Sequence, residues 1–433
     1  MIVKSKENNR NIFELTILAI IFILNESCFY LVDLESINLS GAFNYDDIPL
    51  ILSIVWSLYV LIKYRGVKVK KYIFRYEMLF IFVLVILSSI RGQQLYGQSM
   101  LLGIRPQRFF LVFFLLYFPL IKFLYADERN RISVEKIIYR IGIVALVMYT
   151  TQYFLISKIM FLYVPESSRY GGTRLHFDST LLSLLFFFVL EKLFQRKEVT
   201  KNTIIMSLLI FYNIFIIRGR LAILALLFSS IVMILLWKKN LLIKIPIIIF
   251  GILALGFLLM TPLLSQYASI LDKNTRSVDE NNIIRELGKE NYLRQLKNSP
   301  ITGRGYINQL NEKAYEAAGI GNKYYLNDNG ITAFVFMYGI LGGAWVISLF
   351  IKMYIYGVRI YNKQNKYIYI AYIIYLTVLL PNILQFYWGW GPLYTIIIMC
   401  NLEIDLEKGR IRDCEDKLSD NNIVLKMEEM YGI

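Results

Sequence analysis

A single histidine, His176, serves the whole of this 433-residue sequence. A haem held by two histidines or a histidine-rich metal centre is thereby excluded. The 3 cysteines, Cys28, Cys400 and Cys414, stand far apart, so the chain offers neither a disulfide framework nor a thiolate metal site. A cleavage signal is missing too. The first apolar run follows Lys4, Lys6 and Arg10, but it is long and has no small-residue cleavage pattern, so it reads as a retained membrane span.

What fills the chain instead is apolar. Hydrophobic residues make up 57% and aromatic residues 15%, with a mean hydropathy of +0.50, far beyond a soluble domain of this length. The sequence therefore specifies a polytopic membrane protein. Its net charge of +15 fits lysine and arginine gathered on a cytoplasmic face, and no nucleic acid is expected as a partner.

With about 20 residues per span, the apolar runs fall at 12–32, 48–63, 76–90, 109–125, 137–157, 179–194, 203–217, 221–237, 243–262, 330–351, 367–385 and 389–402. They are too long and too uniformly apolar for barrel strands. The expected fold class is all-α: a polytopic membrane protein of about twelve transmembrane helices, forming one integral membrane domain over 1–433. A long extracytoplasmic loop, 263–329, lies between helices 9 and 10, and a cytoplasmic tail spans 403–433.

Orientation follows the cation bias of short loops. The segments around Lys4 to Arg10, Lys63 to Arg75, Arg129 to Lys136, Lys192 to Lys201, Lys238 to Lys239 and Lys352 to Lys366 are rich in cations. The first loop on the other side, Asp33 to Asp47, has none and carries Asp33, Glu35, Asp46 and Asp47. Both termini are thus expected in the cytoplasm, the long loop outside, and the protein in the cytoplasmic membrane of the cell.

Lysine is scarce in the outer short loops. Their cations are Arg91, Arg105, Arg108, Arg169, Arg174, Arg218 and Arg220 against Lys158 alone. Arginine presents a planar fork that binds phosphate or carboxylate with two donors and stays charged in a low-dielectric cleft. Taken singly, each also suits anchoring of a helix end at lipid headgroups; as a set they point to an anionic ligand. In Arg218-Gly219-Arg220 the glycine is expected to let the chain reverse tightly. In Ser168 to Asp178, Gly171 and Gly172 between Arg169 and Arg174 allow close backbone approach to a ligand, and the aromatics suit sugar stacking. His176 there reads as an incidental polar residue.

Within the long interval, Asn282 to Lys297 spaces Ile283, Ile284, Leu287, Leu293 and Leu296 as an amphipathic helix lying on the membrane or capping the bundle. Thr302-Gly303-Arg304-Gly305-Tyr306 sets an arginine between glycines, a geometry suited to an anion. Asp328, just before the tenth span, fits either a helix cap or a functional carboxylate.

These features resemble the O-antigen polymerase and O-antigen ligase family of polysaccharide-assembly membrane proteins. The ligase branch carries histidine, then Asn, Ser or Gln, nine residues and Gly-x-x-Gly. Asp328-Asn329 followed by Gly339-Ile340-Leu341-Gly342 keeps that spacing, with aspartate in place of histidine. The arginine turn at 218–220 and the loop at 169–174 resemble the family's outer arginine sites, and Arg294 to Gly305 fits the polymerases' Arg, ten residues, Gly pattern once. The resemblance implies a metal-independent glycosyltransferase, without cofactor, acting on a polyprenyl-pyrophosphate-linked oligosaccharide at the outer membrane face. Arg218 and Arg220 would hold the pyrophosphate and Asp328 act as base, with Arg169, Arg174, Arg304 and Asn329 as substrate contacts. Membrane lipid and a chain-length regulator protein are the implied partners. Replacement of the histidine favours a repeat-unit polymerase over a ligase. A flippase or exporter would instead carry charges along a central path; here the exceptions noted among the spans are Glu14, Glu26 and Arg140. A metal-dependent transferase using Asp46 and Asp47 is the third reading.

Overall fold

The computed structural model describes residues 11–33, 45, 47–69, 71–169, 172–238, 280–322, 324–382, 384, 387 and 391–409. The ninth expected span, 243–262, and the opening of the long interval lie outside them. The helices are α1 Ile12–Asn25, α2 Asp47–Lys63, α3 Arg75–Tyr96, α4 Met100–Ile104, α5 Arg108–Ala126, α6 Glu128–Leu155, α7 Thr180–Phe194, α8 Val199–Phe211, α9 Arg220–Leu236, α10 Glu280–Leu296, α11 Glu312–Ala318, α12 Gly330–Gln364, α13 Ile368–Leu379 and α14 at 391–409. Helix is what uniformly apolar runs must adopt, because no water is at hand to satisfy an open backbone. Arg75–Tyr96, Met100–Ala126, Val199–Ile217 and Gly330–Gln364 are long and apolar enough to cross a bilayer, and α1, α9 and α13 are shorter apolar helices. Together they make this a mostly helical membrane protein.

Among the described residues the fold departs from all-α in one place. Glu166–Arg169 and Gly172–Leu175 pair as an antiparallel hairpin, with Ser167 opposite Arg174 and Arg169 opposite Gly172. This β pairing satisfies backbone groups that a bare loop would leave to solvent.

Residues that the charge bias assigns to one side do meet at one end of the bundle. At one end Lys63 and Tyr64 bond Glu14, Lys352 bonds Glu77 at 2.7 Å, and Arg131 and Lys366 grip Asp405 at 2.6 and 2.5 Å. Helix α14 runs past Glu403 to residue 409, so the place where the tail was expected to begin is helix. At the other end Arg108 pairs with Asp47 at 3.1 Å, Arg91 donates to Ser299 Oγ at 2.8 Å, and the hairpin packs beside the turn before Arg218. Asp47, a ligand in the metal-dependent reading, is therefore held in an ion pair, while Asp46 lies outside the described residues.

The core is contiguous and rich in tyrosine. Phe110, Phe334, Tyr338, Trp345 and Tyr387 pack edge-on or tilted around one point, and Tyr338 donates to Gln107, which also receives a bond from Ser88. Buried hydroxyls in an apolar interior need such partners, which is why they cluster.

Helix α12 is broken at Gly339, where φ is 68° and ψ is −165°. The segment after Pro300 threads into the break. Arg304 N donates to Phe336 O at 2.8 Å, Gly305 N to Met337 O at 3.0 Å, and Ile340 N to Pro300 O at 2.8 Å. Backbone groups freed by the break are thus satisfied by a neighbouring strand of chain, as apolar surroundings require. Glycine is needed at both contacts: a Cβ on Gly339 would collide with Ile301 O, and one on Gly303 would lie 2.6 Å from Met337 O. Part of the 263–329 interval is therefore packed inside the bundle, since Gly303 and residues 305–308 are buried.

Candidate functional site

Helix α8 ends in a π-helical turn, Tyr212–Ile217, and Arg218 follows it in the left-handed region, φ 52°. Gly219, which was expected to make the reversal, is extended at φ −88°. The turn is instead made by Arg218, whose Nε donates to Phe215 O at 2.9 Å and so holds the guanidinium against the preceding carbonyl. A π-turn and a left-handed arginine side by side are local strain of the kind that fixes side chains at working sites. Arg220 opens α9. A cation at a helix N-terminus opposes the helix dipole, and with the first-turn amides it forms a positive spot suited to an anion.

The hairpin brings Arg174 to this turn. Its second strand packs on Tyr212–Ile217, so loops far apart in sequence meet at one place. Asp178 follows the hairpin, caps α7 through Thr180 N at 2.7 Å, and takes the hydroxyl of Tyr212 onto its carbonyl at 3.5 Å. Beneath it lies Glu26, fully buried, with one carboxylate oxygen bonded by Tyr394 at 2.6 Å. Neither Asp178 nor Glu26 was among the expected site residues. The signal available for Glu26 was a lone carboxylate at the end of an apolar run.

Arg304 and Arg91 form a second group. The Arg304 guanidinium lies 6.0 Å from the Tyr96 ring, and Arg91 bonds Ser299 at the mouth of the same threaded segment. The Nε atoms of both arginines are buried without a hydrogen-bond partner among the described residues. Arg91 belonged to the expected set of outer cations but not to the expected site; its place at the outer end of α3 was the signal.

Asp328 does not cap α12. That helix has no side-chain cap; Asp328 ends a short 3-10 turn and faces Arg285 of α10 at 3.6 Å. Asn329 is buried, its Nδ2 donates to Tyr325 O at 2.9 Å, and its Oδ1 has no partner among the described residues. Gly288 makes room for it: a Cβ there would lie 3.1 Å from Asn329 Nδ2. Burial and the Asp328 carboxylate push the Tyr292 hydroxyl above its ordinary range, so it remains a donor and holds Tyr324 O at 2.8 Å.

The expected residues thus fall into three places at one end of the molecule: Arg174 with Arg218 and Arg220, Arg304 with Arg91, and Asp328 with Asn329 and Arg285. The first and third share a neighbour. Leu236 O accepts from Tyr361, and Lys238 N lies 3.4 Å from the Tyr367 hydroxyl, so the far end of α9 sits at the start of α13. The packed α9 and α13 then run antiparallel, and the Arg220 end meets the end of α13, where Leu380 O accepts from Ile331 N at 2.9 Å. Arg169 pairs with Gly172 across the hairpin.

No curated protein matches the chain. Residues 205–347 match the protein family described as O-Antigen ligase, a stretch that takes in Arg218, Arg220, Arg304, Asp328, Asn329 and the Gly339 break but stops short of the hairpin. Over that stretch the chain carries an O-antigen ligase family domain, consistent with a membrane protein of the O-antigen polymerase and ligase family.

Proposed function

We propose that this protein is a polysaccharide repeat-unit polymerase. It transfers a polyprenyl-pyrophosphate-linked glycan onto an acceptor sugar hydroxyl at the outer face of the cytoplasmic membrane. The observation that carries this reading is the packing of the arginine hairpin on the strained Arg218 turn, because it gathers fixed cations where a diphosphate would sit. In the transfer, the bond from the donor's anomeric carbon to the pyrophosphate oxygen breaks and one to the acceptor oxygen forms. Arg174, Arg218 and Arg220 stabilise the charge that grows on the leaving pyrophosphate, in a place where water is scarce. Asp328 takes the acceptor proton. Aspartate where the ligase pattern has histidine favours polymerase over ligase, and the reading needs no metal.

The test is purified protein in lipid discs with lipid-linked repeat units, product length being read on a gel. Wild type is expected to build polymer with or without chelator. Asp328→Asn and Arg218→Ala are each expected to remove at least about 100-fold of the rate, as loss of a base or of a charge-stabilising group does. Polymer at wild-type rate from Asp328→Asn would take that carboxylate out of the reaction. Asp178 is then the second reading of the base, because its backbone is bonded to the π-turn beside the arginines. Transport of the lipid-linked unit without growth would replace polymerase by exporter.

A further inference from the structure

A cleft of about 600 Å³ opens between α10 and α11, beside the Gly288 face of α10 that meets Asn329. Its floor is the ring of Tyr324, laid so closely over Gly319 that a Cβ there would collide with it. Asn291, Gln295, Glu290, Glu316 and Arg294 line the sides. Gln295 is pinned by its bond to Ala317 O at 2.7 Å, and Asn291 accepts from Arg294 at 3.2 Å, so the polar wall is ordered in advance. Glu290 and Glu316 engage no ion pair among the described residues. Two carboxylates against one guanidinium make this a poor place for a diphosphate and a good one for hydroxyl or ammonium donors. A planar aromatic floor with planar polar walls fits a ring that is apolar on its face and polar on its rim, which is the chemistry of a sugar.

We infer that this cleft binds the growing glycan, taking neutral or amino sugars at a distance from the transfer centre. The inference rests on the polymerase reading and adds an acceptor subsite to it. Arg285 and Arg294 lie on the same helix nine residues apart, which is about 14 Å along its axis. Since Arg285 faces Asp328, a chain seated in the cleft can present its end to that carboxylate. The donor's charge is met by the arginines of the membrane boundary, and the acceptor's hydroxyls by carboxylates and amides of the loop, so the two substrates are told apart by sign.

The experiment uses the full-length protein in detergent and a printed array of neutral, amino and uronic-acid oligosaccharides free of lipid, followed by titration with the best binder. Binding of neutral or amino glycans is expected, weakened at least about 10-fold in Tyr324→Ala and in Glu316→Gln. Glu290→Gln, a change on the exposed rim, guards against loss of fold and is expected to weaken binding with an unchanged melting curve. In the polymer assay the same variants are expected to shorten products and to raise the acceptor concentration needed for half-maximal growth. Absence of glycan binding, preference for uronic acids, or binding untouched by all three variants would overturn the inference. Because the probe carries no pyrophosphate and no reaction occurs, these results stand apart from whether the protein polymerises.

Discussion

Arg218 holds a left-handed backbone with an extended glycine beside it, and that reversal of the usual order has measurable consequences. A left-handed non-glycine residue costs about 1 kcal/mol, so Arg218→Gly is expected to raise the melting temperature while lowering polymer yield. Loss of both would mean that the arginine is structural. Gly219→Ala, whose added Cβ would meet nothing nearer than 3.4 Å, is expected to shift stability by less than about 0.5 kcal/mol. Gly339→Ala belongs to the opposite class, because φ is +68° and Ile301 O fills the space. It is expected to cost more than about 2 kcal/mol, seen as loss of monodisperse protein on gel filtration. Residue types alone announced that glycines matter near arginines; they did not say which residue of a pair takes the unusual backbone. That choice is made by the π-turn before it.

Among the elements, α10 shows that the apolar face of a helix need not be the one that docks on its neighbour. Its Ile283, Leu287 and Leu293 are 44%, 45% and 53% exposed, while Gly288 and Tyr292 form the docked side. The spacing correctly indicated a helix. The face was decided by fit, since a glycine lets the backbone approach Asn329 and one aromatic ring packs on Phe336 at 4.8 Å. Gly288→Leu is accordingly expected to lift α10 from α12. The measurement is limited proteolysis, with new cleavage in the 280–296 stretch, accompanied by loss of polymer; an unchanged digestion pattern would show that the docking tolerates bulk. The apolar residues left exposed on α10 are consistent with a helix lying near lipid headgroups.

On the scale of the whole molecule, the membrane class, the helical runs and the partition of charged segments between two ends were all legible, because each depends on composition summed over many residues. The break in α12 and the thread through it were not, since both arise from contacts between segments about 35 positions apart in number. Likewise the arginines could be named, but their division into three places depends on which helices are neighbours. Which end faces the exterior is open to a direct trial in a cysteine-free background. A membrane-impermeant maleimide is expected to label Ser168→Cys in intact cells and Lys197→Cys only after permeabilisation. The reverse pattern would turn the molecule over and remove an outer-face reaction.

The bonds from Arg304, Gly305 and Pro300 to the two halves of α12 carry one more implication, for exchange between relatives. The polar insertion cannot be swapped as an autonomous cassette, because its middle is a splint for a snapped rod. A graft that brings a foreign insertion without the matching Gly339 half-helices leaves peptide groups stranded in hydrocarbon, so donor and recipient must trade both pieces as one part.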